Sequence, residues 1–432
     1  MVLKGIKGSD VYPSRKVSIM ERRRVVVTGL GVISSLGLNF NDFWKNIKAG
    51  KNGITLVERF NTENLPTKVA AEIKDFDPVN FMDNKEARRL DKYAQYAVAA
   101  AYEAYAASGL DKVEFDKTRM GVHVSSGIGG LETIEQQHNL FNEKGGRRMS
   151  PFTVTMMIAN MGAGKIAIDL GAKGPAECVV TACASSTYAV GNAFRLIQWG
   201  EADVVVAGGS EAPVTEFALS AFAANRSISF EADPSRACLP FDINRSGFVM
   251  GEGGAMLILE EREHAIARGA DIIAEIVGYS ATCDAYHFTA PEPEGDGAYR
   301  CMENAIRDAG IGTSDIQHIN AHGTGTELND KTETMAIRRL FGDHEKNISV
   351  TATKSMTGHS LGAVGALEAI ITAQSIKEGF IPPTINTSEI DPECSLGGIV
   401  LGKGIDRDIE YALSNSFGFG GHNASIVFRK HR

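Results

Sequence analysis

The chain holds six cysteines and ten histidines, and one cysteine and two histidines stand where chemistry would be easy to build. Cys183 lies in Val179-Val180-Thr181-Ala182-Cys183-Ala184-Ser185-Ser186-Thr187, at the junction of a strand pattern and a helix pattern. A helix N-terminus offers free N–H groups and the positive end of the dipole, which lowers a thiol pKa and raises the thiolate fraction. The small neighbours Ala182, Ala184, Ser185 and Ser186 leave room for a substrate carbonyl. A buried packing cysteine is the competing reading. His322, in Asn320-Ala321-His322-Gly323-Thr324-Gly325-Thr326, follows a strand directly and could hydrogen-bond a ligand there. His359 lies between a strand and a helix in Lys354-Ser355-Met356-Thr357-Gly358-His359-Ser360-Leu361-Gly362. For each histidine the plain alternative is a loop side chain in water. Strand-to-turn positions gather along one edge of a sheet in α/β folds, so the three together say more than each alone. The last turn, Asn415-Ser416-Phe417-Gly418-Phe419-Gly420-Gly421, sets two aromatics among glycines. Such freedom lets backbone N–H groups approach a ligand, as an oxyanion hole requires; a structural hairpin is the alternative.

Positioning these residues takes a repeated βα frame. Strands are expected at 25–29, 121–124, 177–180, 203–207 and 254–259, with helices over 93–108 and 185–200. Near residue 271 the order begins again, with strands at 272–277, 316–320, 348–352, 411–413 and 424–428 and helices over 299–309 and 363–378. Repeated βα alternation puts helices over sheets. The duplication implies two related halves, 20–270 with Cys183 and 271–432 with His322 and His359. Residues 1–19 are basic without an apolar signal core and are read as an N-terminal extension, a tag or an upstream start.

At 432 residues one core is not enough, and 43% hydrophobic with 22% charged residues is a globular composition. No apolar run reaches the roughly 18–20 residues of a membrane helix, so no membrane role is expected. A formal charge of −9 without a Lys/Arg block argues against nucleic acid. The cysteines (Cys178, Cys183, Cys238, Cys283, Cys301 and Cys394) form no CxxC pair, so free thiols in a reducing compartment are expected.

In combination, TACASS with Cys183, NAHGTGT with His322, TKSMTGHSLGA with Lys354 and His359, and NSFGFGG with Phe417 and Phe419 resemble the elongating, type II β-ketoacyl synthases of fatty-acid synthesis, over residues 23–430. The resemblance implies a thiolase-like α/β fold, two related halves in a layered α-β-α-β-α architecture, a homodimer and a Cys-His-His site. Initiating synthases carry Asn at the second histidine and thiolases a second Cys, so His359 points to the elongating branch. The implied reaction is a decarboxylative Claisen condensation of acyl- and malonyl-carrier protein, by a ping-pong route through acyl-Cys183. By the same resemblance the Cys183 and Phe419 N–H groups form the oxyanion hole, His322 and His359 stabilise the enolate, and Lys354 orients the site, with Glu368 on the following helix. Thr324 and Thr326 hold the phosphopantetheine of the acyl carrier protein, Phe419 is a gate beside Cys183, Phe417 is a further substrate-binding residue, and Ile128, Phe222 and Phe248 shape the acyl end. Met156 and Met157 are candidates for setting pocket depth across a dimer. Lys85, Arg88, Arg89, Arg147, Arg148 and Arg226 match carrier-docking positions; without the resemblance they read as solvated charges. Asn320, Glu368, Ser414 and Asn415 match a structural Na⁺ or K⁺ site, and no other cofactor is implied. The expected location is bacterial cytoplasm, with an organelle as alternative.

This chain departs from the family pattern at Ser246, an Asp in the usual PFD-x-x-RDGF, and at His422, commonly Thr. Gly29-Leu30-Gly31 after a strand suggests a dinucleotide loop, but Ser34 replaces its third glycine. Gly358-His359-Ser360-Leu361-Gly362, followed by Asp391 and His422, has the order of a serine-hydrolase triad. The five residues 353–357 between strand and elbow, and the missing oxyanion loop, weigh against it. A non-catalytic chain-length partner is a third reading, opposed by the presence of Cys183, His322, Lys354 and His359.

Overall fold

The computed structural model describes residues 22–432, and the extension expected over 1–19 lies outside the described residues. One unit of structure is used twice. The first runs β1 (Val25–Ser34), α1 (Lys92–Ser108), β2 (Met120–Ser125), α2 (Met161–Leu170), β3 (Ala176–Glu177), α3 (Ser185–Gln198), β4 (Val204–Glu211) and β5 (Gly253–Glu261). The second runs β6 (Ala274–Cys283), α4 (Asp296–Asp308), β7 (His318–Asn320), α5 (Glu327–Phe341), β8 (Ser349–Thr351), α6 (Val364–Glu378), β9 (Tyr411–Gly418) and β10 (His422–Arg429). These ten strands form one sheet in the order β8-β7-β9-β10-β6-β1-β5-β4-β2-β3, so each half has the same internal order. Parallel and antiparallel pairings fall at the same steps in both. The halves join where β1 and β6 pair antiparallel, Val25 with Ile276 to Val27 with Ala274.

Helices α3 and α6 pack on each other and touch strands of both halves, while α1 and α2 cover the first half and α4, with α5 beside it, covers the second. The result is the layered α-β-α-β-α arrangement of an α/β fold. A helix packed between the two halves of the sheet has no water-facing side, and α6 is accordingly buried from Val364 through Ala373. Small side chains allow this closeness: a Cβ on Gly365 would stand 2.0 Å from the Thr187 hydroxyl of α3. Among the described residues no helix is long and apolar enough to cross a membrane.

Two local expectations are corrected. β1 does not stop at Gly29 but runs through Gly31 to Ser34. Its glycines face α1, where a Cβ on Gly29 would lie 2.2 Å from the Ala104 carbonyl oxygen and one on Gly31 2.0 Å from that of Ala100. They serve helix–strand packing rather than a phosphate loop. The strand expected over 177–180 ends at Glu177, because this edge strand pairs only with Val122 and His123 before the chain turns toward α3.

Gly31→Ala should force α1 away from the sheet and destabilise the fold by about 1–3 kcal/mol. A denaturation midpoint equal to that of the unsubstituted protein would refute this packing role.

Candidate active site

The duplicated topology puts Cys183 and His359 in equivalent places, each between the third strand of its unit and the helix that follows. His322 directly follows β7, beside β8 in the sheet. All three line one cavity of about 320 Å³, together with Phe222, Phe248, Thr324, Thr326, Phe417 and Phe419. Ring centroids of His322 and His359 are 5.6 Å apart, nearly perpendicular, and Phe248 lies 5.0 Å from His359. The Thr324 and Thr326 hydroxyls are 2.9 Å apart on the cavity wall. Ile128 does not line that cavity; it packs in the apolar cluster behind it, with Cys183, Phe222, Phe248 and Leu361.

Cys183 sits in the one-turn helix Ala182–Ala184 just ahead of α3. Ala182 takes φ +50, a left-handed conformation costing about 1–2 kcal/mol for a side chain with Cβ. Leu361, in the matching turn ahead of α6, takes φ +44. Ser185 and Ser186 do not face a substrate. The Ser185 hydroxyl accepts from Thr181 N–H at 2.9 Å, and the Ser186 hydroxyl accepts from Ala366 N–H on α6 at 2.9 Å. The thiol also departs from expectation. Burial pushes it up to about 11, outweighing the nearby Lys354 ammonium and the Phe419 N–H, which pull it down. The backbone N–H groups of Cys183 and Phe419 act on the thiol in the lowering direction, so the same pair could receive a negative oxygen formed beside the sulfur.

Lys354 explains the histidines. Its ammonium is fully buried and donates to Glu368 Oε1 at 2.6 Å, to the His322 carbonyl at 2.6 Å and to His322 Nδ1 at 3.2 Å. An ammonium can only donate, so His322 Nδ1 carries the lone pair and Nε2 carries the proton. Burial, with Lys354 adding to it, holds both His322 and His359 well below the ordinary histidine range, so both are neutral near pH 7. Lys354 itself does not line the cavity; it acts through His322.

Three carboxylates of the site carry no mark in the sequence. Glu333 on α5 accepts the His322 and Gly323 N–H groups, both at 2.9 Å, and burial pushes its carboxyl up to about 7. Asp330, one turn earlier, accepts from Gly325 N–H at 3.2 Å and Phe241 N–H at 2.9 Å. Both follow the Gly-rich turn on the first turns of a helix, where acidic residues are ordinary, so nothing singles them out. Glu211 closes β4; only its place at the end of an apolar strand hints at burial. Arg245 pairs with Asp391 at 2.6 Å and donates to the Thr326 carbonyl at 3.2 Å, bracing the threonine turn. Ser246, the family departure, meets Ser229 hydroxyl to hydroxyl at 2.9 Å.

The hydrolase triad is not assembled. Ser360 is fully buried with no partner for its hydroxyl among the described residues, Asp391 is held by Arg245, and the His422 ring stands against Tyr188. The basic residues divide. Arg226 stands on the cavity wall, Lys85, Arg88 and Arg89 share a separate cleft with Phe152, and Arg147 and Arg148 are exposed after the helix Leu131–Lys144. Arg89 lies 4.6 Å over the Phe152 ring. Met156 and Met157 are part-buried in the short helix Thr153–Met157. Of the suggested cation ligands, Asn320 Oδ1, Ser414 Oγ and Glu368 Oε2 are buried oxygens without a partner among the described residues, while Asn415 Oδ1 already accepts from Ser425. Asn320 and Ser414 are register partners on β7 and β9.

Family models match over most of the chain: "Beta-ketoacyl synthase, N-terminal domain" over residues 22–265 and "Beta-ketoacyl synthase, C-terminal domain" over 273–388. The chain is 50% identical over 410 residues to a 3-oxoacyl-[acyl-carrier-protein] synthase 2 of Staphylococcus aureus (strain COL), covering 95% of this chain and 99% of that protein. Among solved structures, the ishigamide ketosynthase/chain length factor superposes with TM-score 0.89 at 37% identity, over 95% of this chain and 100% of that one. A type II polyketide ketosynthase in complex with its acyl-carrier protein and bound to the hexaketide superposes with TM-score 0.87 at 33% identity, with the same coverages.

Two measurements follow from the electrostatics. Alkylation of Cys183 by iodoacetamide, followed by peptide mass mapping, should keep rising about tenfold per pH unit from pH 8 to 10; a plateau by pH 9 would contradict the raised thiol. Glu368→Leu should destabilise the fold by about 3–5 kcal/mol, because it strands a buried ammonium. Adding Lys354→Met should recover most of that loss in the denaturation midpoint, and failure to recover it would mean that the charge pair is not the cause.

Proposed function

The chain belongs to the β-ketoacyl synthase family, and on that premise we propose that it condenses an acyl group held on Cys183 with a malonyl unit on an acyl carrier protein, in fatty-acid chain elongation. It is a condensing acyltransferase. The observation that carries the finer reading is the meeting, in one cavity, of Cys183, Phe419 and two neutral histidines, one with its tautomer set by Lys354.

In the first half-reaction Cys183 Sγ attacks the acyl thioester carbonyl. The oxygen takes the negative charge against the Cys183 and Phe419 N–H groups, and the pantetheine sulfur leaves with the thiol proton. In the second, the malonyl thioester oxygen accepts from His322 Nε2–H and from His359. As CO₂ departs, the bonding pair becomes an enolate held by those donors. Its carbon attacks the acyl carbonyl, the C–S bond to Cys183 breaks, Sγ leaves as a thiolate and takes a proton from water, and a 3-oxoacyl thioester two carbons longer results. Neutral imidazoles suit this role, since they give hydrogen bonds to an anionic oxygen without being deprotonated by it.

Thr324 and Thr326 hold the pantetheine arm, and Phe222 and Phe248, with Ile128 behind, bound the acyl chain. Arg226 at the cavity, with Lys85, Arg88, Arg89, Arg147 and Arg148, meets the acidic carrier protein; the carrier complex of the polyketide relative supports such a partner. The active form is a homodimer. The three partnerless oxygens of Asn320, Ser414 and Glu368 fit a monovalent cation, which would tie β7, β9 and α6 together behind the site. That ion is structural, and no step of the reaction passes through it. The hydrolase reading has no support from the positions of Ser360, Asp391 and His422.

Incubation with a long-chain acyl-carrier protein should place an acyl adduct on Cys183, seen by intact mass and peptide mapping. Malonyl-carrier protein should then remove it with release of CO₂. His322→Ala and His359→Ala should still form the adduct but release CO₂ about 10²–10³-fold more slowly. An adduct on Ser360 would restore the hydrolase reading, and a Cys183 adduct that malonyl-carrier protein does not discharge would sink the condensation.

A further inference from the structure

We propose that Glu211 is a positioning residue for this condensation: its carboxylate ties the loop before Ile128 to the loop after His359, and so sets the acyl wall in register with Cys183. The inference rests on the condensing reading above. Glu211 is fully buried at the end of β4. Four neutral donors fill its two oxygens. Oε1 accepts from the Ser126 hydroxyl at 2.5 Å and Ile128 N–H at 3.2 Å; Oε2 accepts from Gly127 N–H at 2.6 Å and Gly362 N–H at 3.0 Å. Ser126, Gly127 and Ile128 belong to the first half and Gly362 to the second, so one side chain spans the seam of the site.

Two glycines make room for it. A Cβ on Gly127 would lie 2.8 Å from Glu211 Oε2, and one on Gly362 would lie 2.6 Å from the same oxygen and 2.3 Å from Gly127 N. Gly362 follows Leu361, a cavity residue held at φ +44, and lies three residues beyond His359. Ile128 and Leu361 pack in the same apolar cluster as Cys183 and Phe248. Because each oxygen faces two donors, only an ionised carboxylate satisfies all four. A glutamine of the same shape would turn its NH₂ group against the Ile128 N–H, or in the other orientation against those of Gly127 and Gly362. Burial pushes the Glu211 carboxyl up and the four donors pull it down. Its charge also acts on Cys183 in the direction of retaining the thiol proton. The carboxylate therefore holds the wall, and its charge adds to the burial that keeps the sulfur protonated.

The test uses the full-length protein, with Glu211→Gln and Ser126→Ala as variants. Acylation of Cys183 and condensation are followed with acyl-carrier proteins of increasing chain length, and iodoacetamide alkylation is followed against pH. Glu211→Gln should lower kcat/KM for the longest acyl group about tenfold more than for the shortest, chiefly through KM. It should also raise alkylation at pH 8 by about threefold or more, since a nearby negative charge is gone. Ser126→Ala, which removes one donor and keeps the charge, should shift chain-length preference the same way by a smaller factor and leave the alkylation profile in place. A uniform loss of kcat at every chain length with unmoved alkylation would overturn the proposal in favour of a merely structural role. If Glu211→Gln does not fold, unchanged preference in Ser126→Ala overturns it alone. Absence of any acyl adduct in the unsubstituted protein would instead remove the condensing reading, a result distinct from either.

Discussion

A buried ammonium left unpaired costs several kcal/mol, and the surroundings of Lys354 are built to engage all three of its protons. One goes to Glu368 on α6, one to the backbone of His322 and one to the ring of His322. The same three bonds join a strand-end turn, a loop and a central helix, so the arrangement that neutralises the lysine also places the imidazole. Glu333 completes the frame from the other side, accepting the N–H groups of His322 and Gly323. His322 is thus fixed by its ring, its carbonyl and its amide, before any substrate arrives.

Much of this was legible in the sequence. Alternation of strand and helix patterns, broken and restarted near residue 271, marks an α/β fold with a repeat, and the motifs around Cys183, His322 and His359 fall between a strand and the helix that follows it. The limits of that reading have physical causes. Gly29 and Gly31 look like a phosphate loop because glycine permits both tight turns and close packing, and only the position of α1 decides between them. A thiol at a helix N-terminus suggests a lowered pKa, yet burial by residues distant in sequence dominates. Ser185 and Ser186 look like room for a substrate and turn out to bond Thr181 and Ala366. Glu211 and Glu333 are invisible because a buried carboxylate and a solvated one share the same letter. What separates them is whether backbone N–H groups from elsewhere converge on them.

The duplication shapes the site as well as the fold. Each half supplies one residue from the turn ahead of its central helix, a thiol from the first and an imidazole from the second. In both turns a non-glycine residue, Ala182 or Leu361, is held at positive φ. Strain of that kind persists only where the surroundings over-determine it. Here α3 and α6 provide that constraint, packed through Thr187, Ser186 and Gly365. A site divided between the halves in this way exists only when the two central helices are in contact.

The raised thiol bears on how such an enzyme survives between turnovers. With its pKa pushed up to about 11, the sulfur is far less ionised at pH 7 than an ordinary cysteine. Peroxide oxidises the thiolate, not the thiol, along the path to sulfenic and higher acids. Cys183 is therefore shielded from oxidative damage by its own burial, and stays quiet toward adventitious electrophiles until a thioester carbonyl reaches the two N–H groups beside it.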